Sequence, residues 1–118
     1  MTDSTYTKGV AGEERAIAYL QSRGMVLLER RYRSPFGEID AIFRDGDAIA
    51  FVEVKARSSG GRGSGLMAVG KRKQQRITLT ARQYVAEHAC DCVMRFDVLE
   101  LTRDGVLYIP NAFEAREY

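Results

Sequence analysis

The sequence predicts a single α/β domain in the order α-β-β-β-α-β-β. Three observations point there: apolar residues at helical spacing over residues 10–23 and 69–89, strand-like runs between and after them, and an Asp45-Gly46 pair between two of those runs. A chain of 118 residues, 45% hydrophobic and 29% charged, is long enough for one core and too short for two.

In the first helix, Val10, Glu13, Ile17, Leu20 and Gly24 follow the i, i+3, i+4, i+7 spacing, and Gly24 suits the position just after the last turn. Glu13 therefore lies on the inward stripe, and Glu14 faces out. Residues 25–33, "MVLLERRYR", form the first strand, and "SPFG" is a turn. The stretch "EIDAIFRDGDAIAFVEVKA" gives two strands around Asp45-Gly46. A two-residue loop there sets Arg44 opposite Asp47, Asp40 opposite Phe51 and Glu38 opposite Glu53, with Asp40 and Glu53 diagonal neighbours at roughly 7 Å. Residues 57–66, "RSSGGRGSGL", lack periodicity and are expected to be a mobile loop, and residues 1–8 and 114–118 flexible tails. Ile77, Ala81, Tyr84 and Val85 line the apolar stripe of the second helix, while "VMRFDVLEL" and "GVLYIPNAF" are strands around an Arg103-Asp104-Gly105 turn.

The polar start "MTDSTYTKG" is unlike a secretory signal, and no apolar run reaches the length of a membrane span. A cytoplasmic protein is expected, with Cys90 and Cys92 reduced. The net charge is only +2, but its distribution is uneven. Between Glu53 and Glu87 there is no acid, whereas Lys55, Arg57, Arg62, Lys71, Arg72, Lys73, Arg76 and Arg82 all fall there. Cations crowding a helix amino terminus oppose the macrodipole, a cost that is easier to understand if an anion binds.

In "FVEVKAR", side chains alternate, so Phe51, Glu53 and Lys55 share one face. Asp40 and Glu53 on that face, with Glu13 on a helix packed against the sheet, make a cluster of negative charge partly removed from water. Lys55 offsets one charge. A hard divalent cation, magnesium or manganese, would offset the rest, with Asp40, Glu53 and the main-chain carbonyl of Val54 as oxygen ligands. Such a cation with Lys55 beside it suits phosphodiester hydrolysis. The structural alternative is a half-exposed Glu53–Lys55 ion pair that contributes little.

Other constellations are weaker. His88, Cys90 and Cys92 lack a fourth zinc ligand. Arg95 and Asp97 read as a structural pair. Gly60, Gly61, Gly63 and Gly65 lack the context of a phosphate-binding fingerprint and read as freedom for a loop to close over nucleic acid. The six tyrosines are scattered and form no base-stacking platform.

The segments "GEERAIAYLQSRG", "GEIDAIFRDGDAIAFVEVKAR", "AVGKRKQQRI" and "RFDV" together resemble the YraN-type family of endonuclease-like proteins. That family is similar to archaeal Holliday junction resolvases within the PD-(D/E)xK nuclease superfamily. The resemblance covers about residues 9–113, with Ile39 where the superfamily motif has proline. It implies a restriction-endonuclease-like three-layer core, a mixed sheet flanked by helices. It also implies that Glu13, Asp40, Glu53 and Lys55 are the catalytic and metal-binding set, and that Lys73 and Gln74 fall where related nucleases have a supporting polar residue. Arg57, Arg62, Lys71, Arg72, Lys73, Gln74 and Arg76 are the expected nucleic-acid contacts. The function expected is metal-dependent endonucleolytic cleavage of DNA, branched or junction DNA included. The alternative is a non-catalytic nucleic-acid-binding module of the same fold. By analogy with resolvases, a homodimer is the assembly to test.

Overall fold

The computed structural model describes residues 4–56 and 69–115, and side chains within them from Ala11 onward. The 57–66 loop, with Arg57 and Arg62, lies outside the described residues. The elements are α1 (Ser4–Ser22), β1 (Val26–Ser34), β2 (Gly37–Asp45), β3 (Ala48–Ala56), α2 (Lys71–Glu87), β4 (Val93–Thr102) and β5 (Gly105–Phe113), in the expected order. The first helix begins at Ser4, earlier than Val10, and runs back into the segment expected as a tail. It ends at Ser22 and is closed by Gly24, whose φ of 91° lets Met25 N–H reach Leu20 O (3.2 Å) beside the Gly24 N–H bond to Gln21 O (2.9 Å).

The five strands lie side by side in sequence order. All neighbours are antiparallel except β3 and β4, which are parallel. A parallel pair needs a crossover, and α2 provides it. Each face of the sheet is covered by one helix. On one side Ala16, Ile17 and Leu20 of α1 pack on Ala41, Phe43, Ala50, Val52, Leu99 and Leu101. On the other, Ile77, Ala81 and Tyr84 of α2 pack on Ile39, Ile42, Phe51, Phe96 and Val98. The result is three layers. Leu20 is fully buried, and burying a leucine side chain contributes about 2 kcal/mol.

The β2–β3 register differs from expectation. Asp45 pairs with Ala48 and Ala41 with Val52, so the loop residues are Gly46 and Asp47 rather than Asp45 and Gly46. Only Gly46, φ 62°, takes positive φ in this turn. An Asp45-Gly46 loop of the primed type I needs positive φ at both residues, at a cost of about 1–2 kcal/mol for the aspartate. The observed turn places glycine at the first central position and avoids that cost. Moving each strand by one residue preserves the faces, because the side-chain period is two.

Arg95 and Asp97 form the structural pair expected of them, within a wider network. Arg95 donates through Nε to Asp97 Oδ1 (3.0 Å) and through Nη2 to Asp97 Oδ2 (2.9 Å), and its Nη1 reaches Asp45 Oδ2 (2.9 Å). Tyr108 Oη donates to Asp97 Oδ2, and Asn111 N–H to Asp97 Oδ1 (2.9 Å). Asn111, φ 53°, sits in the irregular stretch of β5 where the pairing shifts between Phe96 and Val98, so Asp97 satisfies an amide that the ladder leaves out.

The expectation of two free thiols is not met: Cys90 and Cys92 are joined by a disulfide. Ala89, φ 47°, turns the chain after α2, and the two Cα atoms lie 5.5 Å apart, within bridging range. His88 stacks on Tyr84, and its Nδ1 lies 2.8 Å from Tyr84 O. Among the described residues no helix is long and apolar enough to cross a membrane.

Candidate functional site

The corrected register has a direct consequence. Continuing the ladder one step beyond Ala41–Val52 sets Asp40 opposite Glu53 rather than diagonal to it. Both side chains line a cleft of about 500 Å³ between β2, β3, the β1–β2 turn and the start of α2. The lining includes Phe36, Gly37, Glu38, Asp40, Glu53, Arg72, Lys73, Arg76 and Ile77. Asp40 is fixed by an amide: Val54 N–H donates to its Oδ2 at 2.7 Å. In a pleated strand a residue's N–H and C=O face the same neighbour, so the Val54 carbonyl is directed to the Asp40 side as well.

Burial pushes the Asp40 carboxyl up to about 7, and the Glu53 charge adds to the rise. The Val54 hydrogen bond pulls the other way, and Glu13 contributes a smaller increase. Glu53 itself is only 6% exposed. Two ammonium groups hold it: Lys55 Nζ lies 3.2 Å from Oε2, and Lys73 Nζ contacts the same oxygen. Burial lowers the pKa of Lys55, and the neighbouring Lys73 lowers it further. Burial also works against the charge on Lys73, yet Glu53, with Asp40 behind it, outweighs that and raises its pKa. Asp40, Glu53, Lys55 and Lys73 thus form one cluster of two acids and two amines at the cleft.

The three-acid convergence expected from the sequence is altered. Glu13 Oε1 accepts a hydrogen bond from Arg31 Nε at 2.8 Å, and Arg31 has φ 51° in an irregular stretch of β1. That ion pair engages the Glu13 carboxylate on the α1 side, and what remains of its charge only slightly raises the Asp40 pKa. Among the described residues no three His, Cys, Asp or Glu are grouped so as to hold a metal ion. Of the expected nucleic-acid contacts, Arg72, Lys73 and Arg76 line the cleft, and Lys71 is exposed beside it. Gln74 turns its side chain inward, where Nε2 donates to Val69 O at 2.9 Å and secures the start of α2.

Lys73, expected as a supporting polar residue and a nucleic-acid contact, reaches Glu53. Sequence reasoning missed two other residues. Arg31 gave no signal, since its role depends on a left-handed backbone. Glu100 is fully buried and in register with Lys55. An acid inside the apolar run "VLEL" was the available signal, parallel to the acid inside "FVEV".

The profile of the family described as "Uncharacterised protein family UPF0102" matches residues 12–101. A UPF0102 protein of Shewanella loihica is 44% identical over 107 residues, spanning 91% of this chain and 94% of that one. One from Geobacter metallireducens is 42% identical, over 90% of this chain and 91% of its own. Another, from Nitrosomonas europaea, is 40% identical, over 94% of this chain and 97% of its own.

Proposed function

We propose that this chain, which belongs to the uncharacterised protein family UPF0102, is a divalent-metal-dependent endonuclease that hydrolyses DNA phosphodiesters, branched DNA among them. The observation that carries this reading is the pairing of Asp40 and Glu53 in a cleft walled by Arg72, Lys73 and Arg76. The donor set fits magnesium or manganese: two carboxylates on adjacent strands, with the Val54 carbonyl alongside. Burial, with Glu53 second, disfavours the charge on Asp40, and a bound cation would offset both effects.

When bound, the cation would supply Lewis-acid stabilisation and a more acidic water. The residues do the rest. Asp40 and Glu53 would hold the cation through their carboxylate oxygens, and Arg72 and Arg76 grip phosphates of the bound strand. Lys55 presents a cationic donor to the phosphate whose P–O ester bond breaks as water adds to phosphorus. Lys73 holds Glu53 until a polyanion competes for its ammonium. Because a four-way junction is two-fold symmetric, two copies of the chain acting on one junction belong to the same reading, as does a cytoplasmic location.

A second reading has an observation of its own. Glu53 is already neutralised by Lys55 and Lys73, which suits a non-catalytic nucleic-acid-binding module. Incubation of plasmid and four-way junction DNA with magnesium or manganese separates the two. The nuclease reading expects nicking by wild type and none by Asp40→Ala; equal nicking by both, or by neither, counts against it. Both readings share an expectation for the basic wall. Replacing Arg72 and Arg76 with glutamine should lower the slope of log affinity against log salt by about 2, and fluorescence polarisation at several salt concentrations measures it.

A further inference from the structure

Among the described residues the large apolar side chains left exposed are Val26, Phe36 and Val93. Val26 pairs with Arg44 and Val93 with Ala48, at the Gly46 end of the sheet. Phe36 is at the opposite end, 46% exposed, and it lines the acid-floored cleft. Scattered exposed apolar residues are ordinary, but this one is held in place. Its amide donates to Ser34 Oγ at 3.0 Å, and Ser34 Oγ is hydrogen-bonded to Thr80 Oγ1 of α2 at 2.8 Å. Pro35 fixes φ on one side. On the other, Gly37 lies so close to the helix that a Cβ there would be 3.8 Å from Arg76 Cβ. The aromatic ring is therefore set on a turn braced against the same helix that supplies the cationic wall.

We infer that Phe36 is a stacking platform for an unpaired nucleobase, so that the preferred ligand is DNA with a base out of its duplex stack beside the phosphate held in the cleft. This rests on the nucleic-acid reading above and narrows its substrate class. Arginines 72 and 76 supply the phosphate contacts, and an aromatic face lining the same cleft supplies what phosphate contacts lack, a means of telling an accessible base from a paired one. A fully paired helix presents phosphates to the arginines but keeps its base faces covered. A protein partner fits less well, because a single exposed aromatic residue in a cleft lined mostly by charged side chains offers little apolar area.

The test uses the full chain in EDTA, so that binding is read without turnover. Two DNAs of the same sequence are compared by fluorescence polarisation, one fully paired and one with a single unpaired 2-aminopurine. The inference expects wild type to prefer the unpaired DNA by about tenfold, with the 2-aminopurine quenched. Phe36→Ala should lose the preference while binding the duplex as before, and Phe36→Trp should keep it. Duplex binding that depends on Arg72 and Arg76, with no effect of Phe36→Ala on either DNA, would overturn this inference and leave the parent reading intact. Failure of wild type to bind either DNA at low salt would overturn both.

Discussion

Replacing Asp40 with asparagine is expected to abolish cleavage and, in metal-free buffer, to make the protein more stable than wild type above neutral pH. The sign follows from the raised pKa. Folded Asp40 titrates at about 7, against an ordinary value of 3.8, so the folded state holds its proton more tightly than the unfolded chain does. Stability from this group is fully present below the unfolded value and is lost as pH rises through the folded one. By about pH 8 the wild type is weakened by on the order of 4 kcal/mol relative to a neutral side chain at this position. Asparagine keeps an oxygen to accept from Val54 N–H and carries no charge toward Glu53. Thermal melts in EDTA at about pH 3, below the ordinary value, and about pH 8 should show little difference at the lower pH and a higher midpoint for the variant at the upper. A variant less stable than wild type at both would contradict the account of Asp40.

Asp97→Ala should be the most damaging substitution for the fold away from the cleft. Asp97 is fully buried and accepts from Arg95, Tyr108 and the Asn111 amide. Its loss leaves a mostly buried guanidinium with Asp45 as its remaining acid, an unsatisfied main-chain amide in β5, and a phenol without its acceptor. Breaking a buried pair by removing one partner costs about 3–5 kcal/mol; the Arg95 side chain is 20% exposed, which places the loss near the lower bound. Urea unfolding should show the unfolding free energy fall by that amount, with the midpoint lowered by that amount divided by the m-value. Removing both members, Arg95→Met with Asp97→Leu, should recover part of it, because the stranded charge goes as well.

The layering was legible because it is written in periodicity. Ile17 and Leu20 mark the buried stripe of α1, Ile77, Ala81 and Tyr84 that of α2, and alternation puts Phe51, Glu53 and Lys55 on one face of β3. The hairpin was visible at Gly46, but its register was not. That choice turned on which residue accepts positive φ, and it decides whether Asp40 meets Phe51 or Glu53. Two other features escaped for a similar reason. Arg31 reaches Glu13 from a left-handed conformation, and Asn111 takes up Asp97 at a bulge; neither break leaves a mark in side-chain pattern. The family resemblance marks Lys73 within its basic run as a supporting residue, but its pairing with Glu53 depends on the approach of α2 to β3, which the sequence does not give.

The account depends most on Asp40 and Glu53 acting together on a divalent cation, and titration calorimetry with manganese tests that most directly. Wild type is expected to give a saturable one-site heat that disappears in both Asp40→Asn and Glu53→Gln while each variant remains folded by circular dichroism. A heat unchanged in either folded variant, or none in wild type, would contradict it.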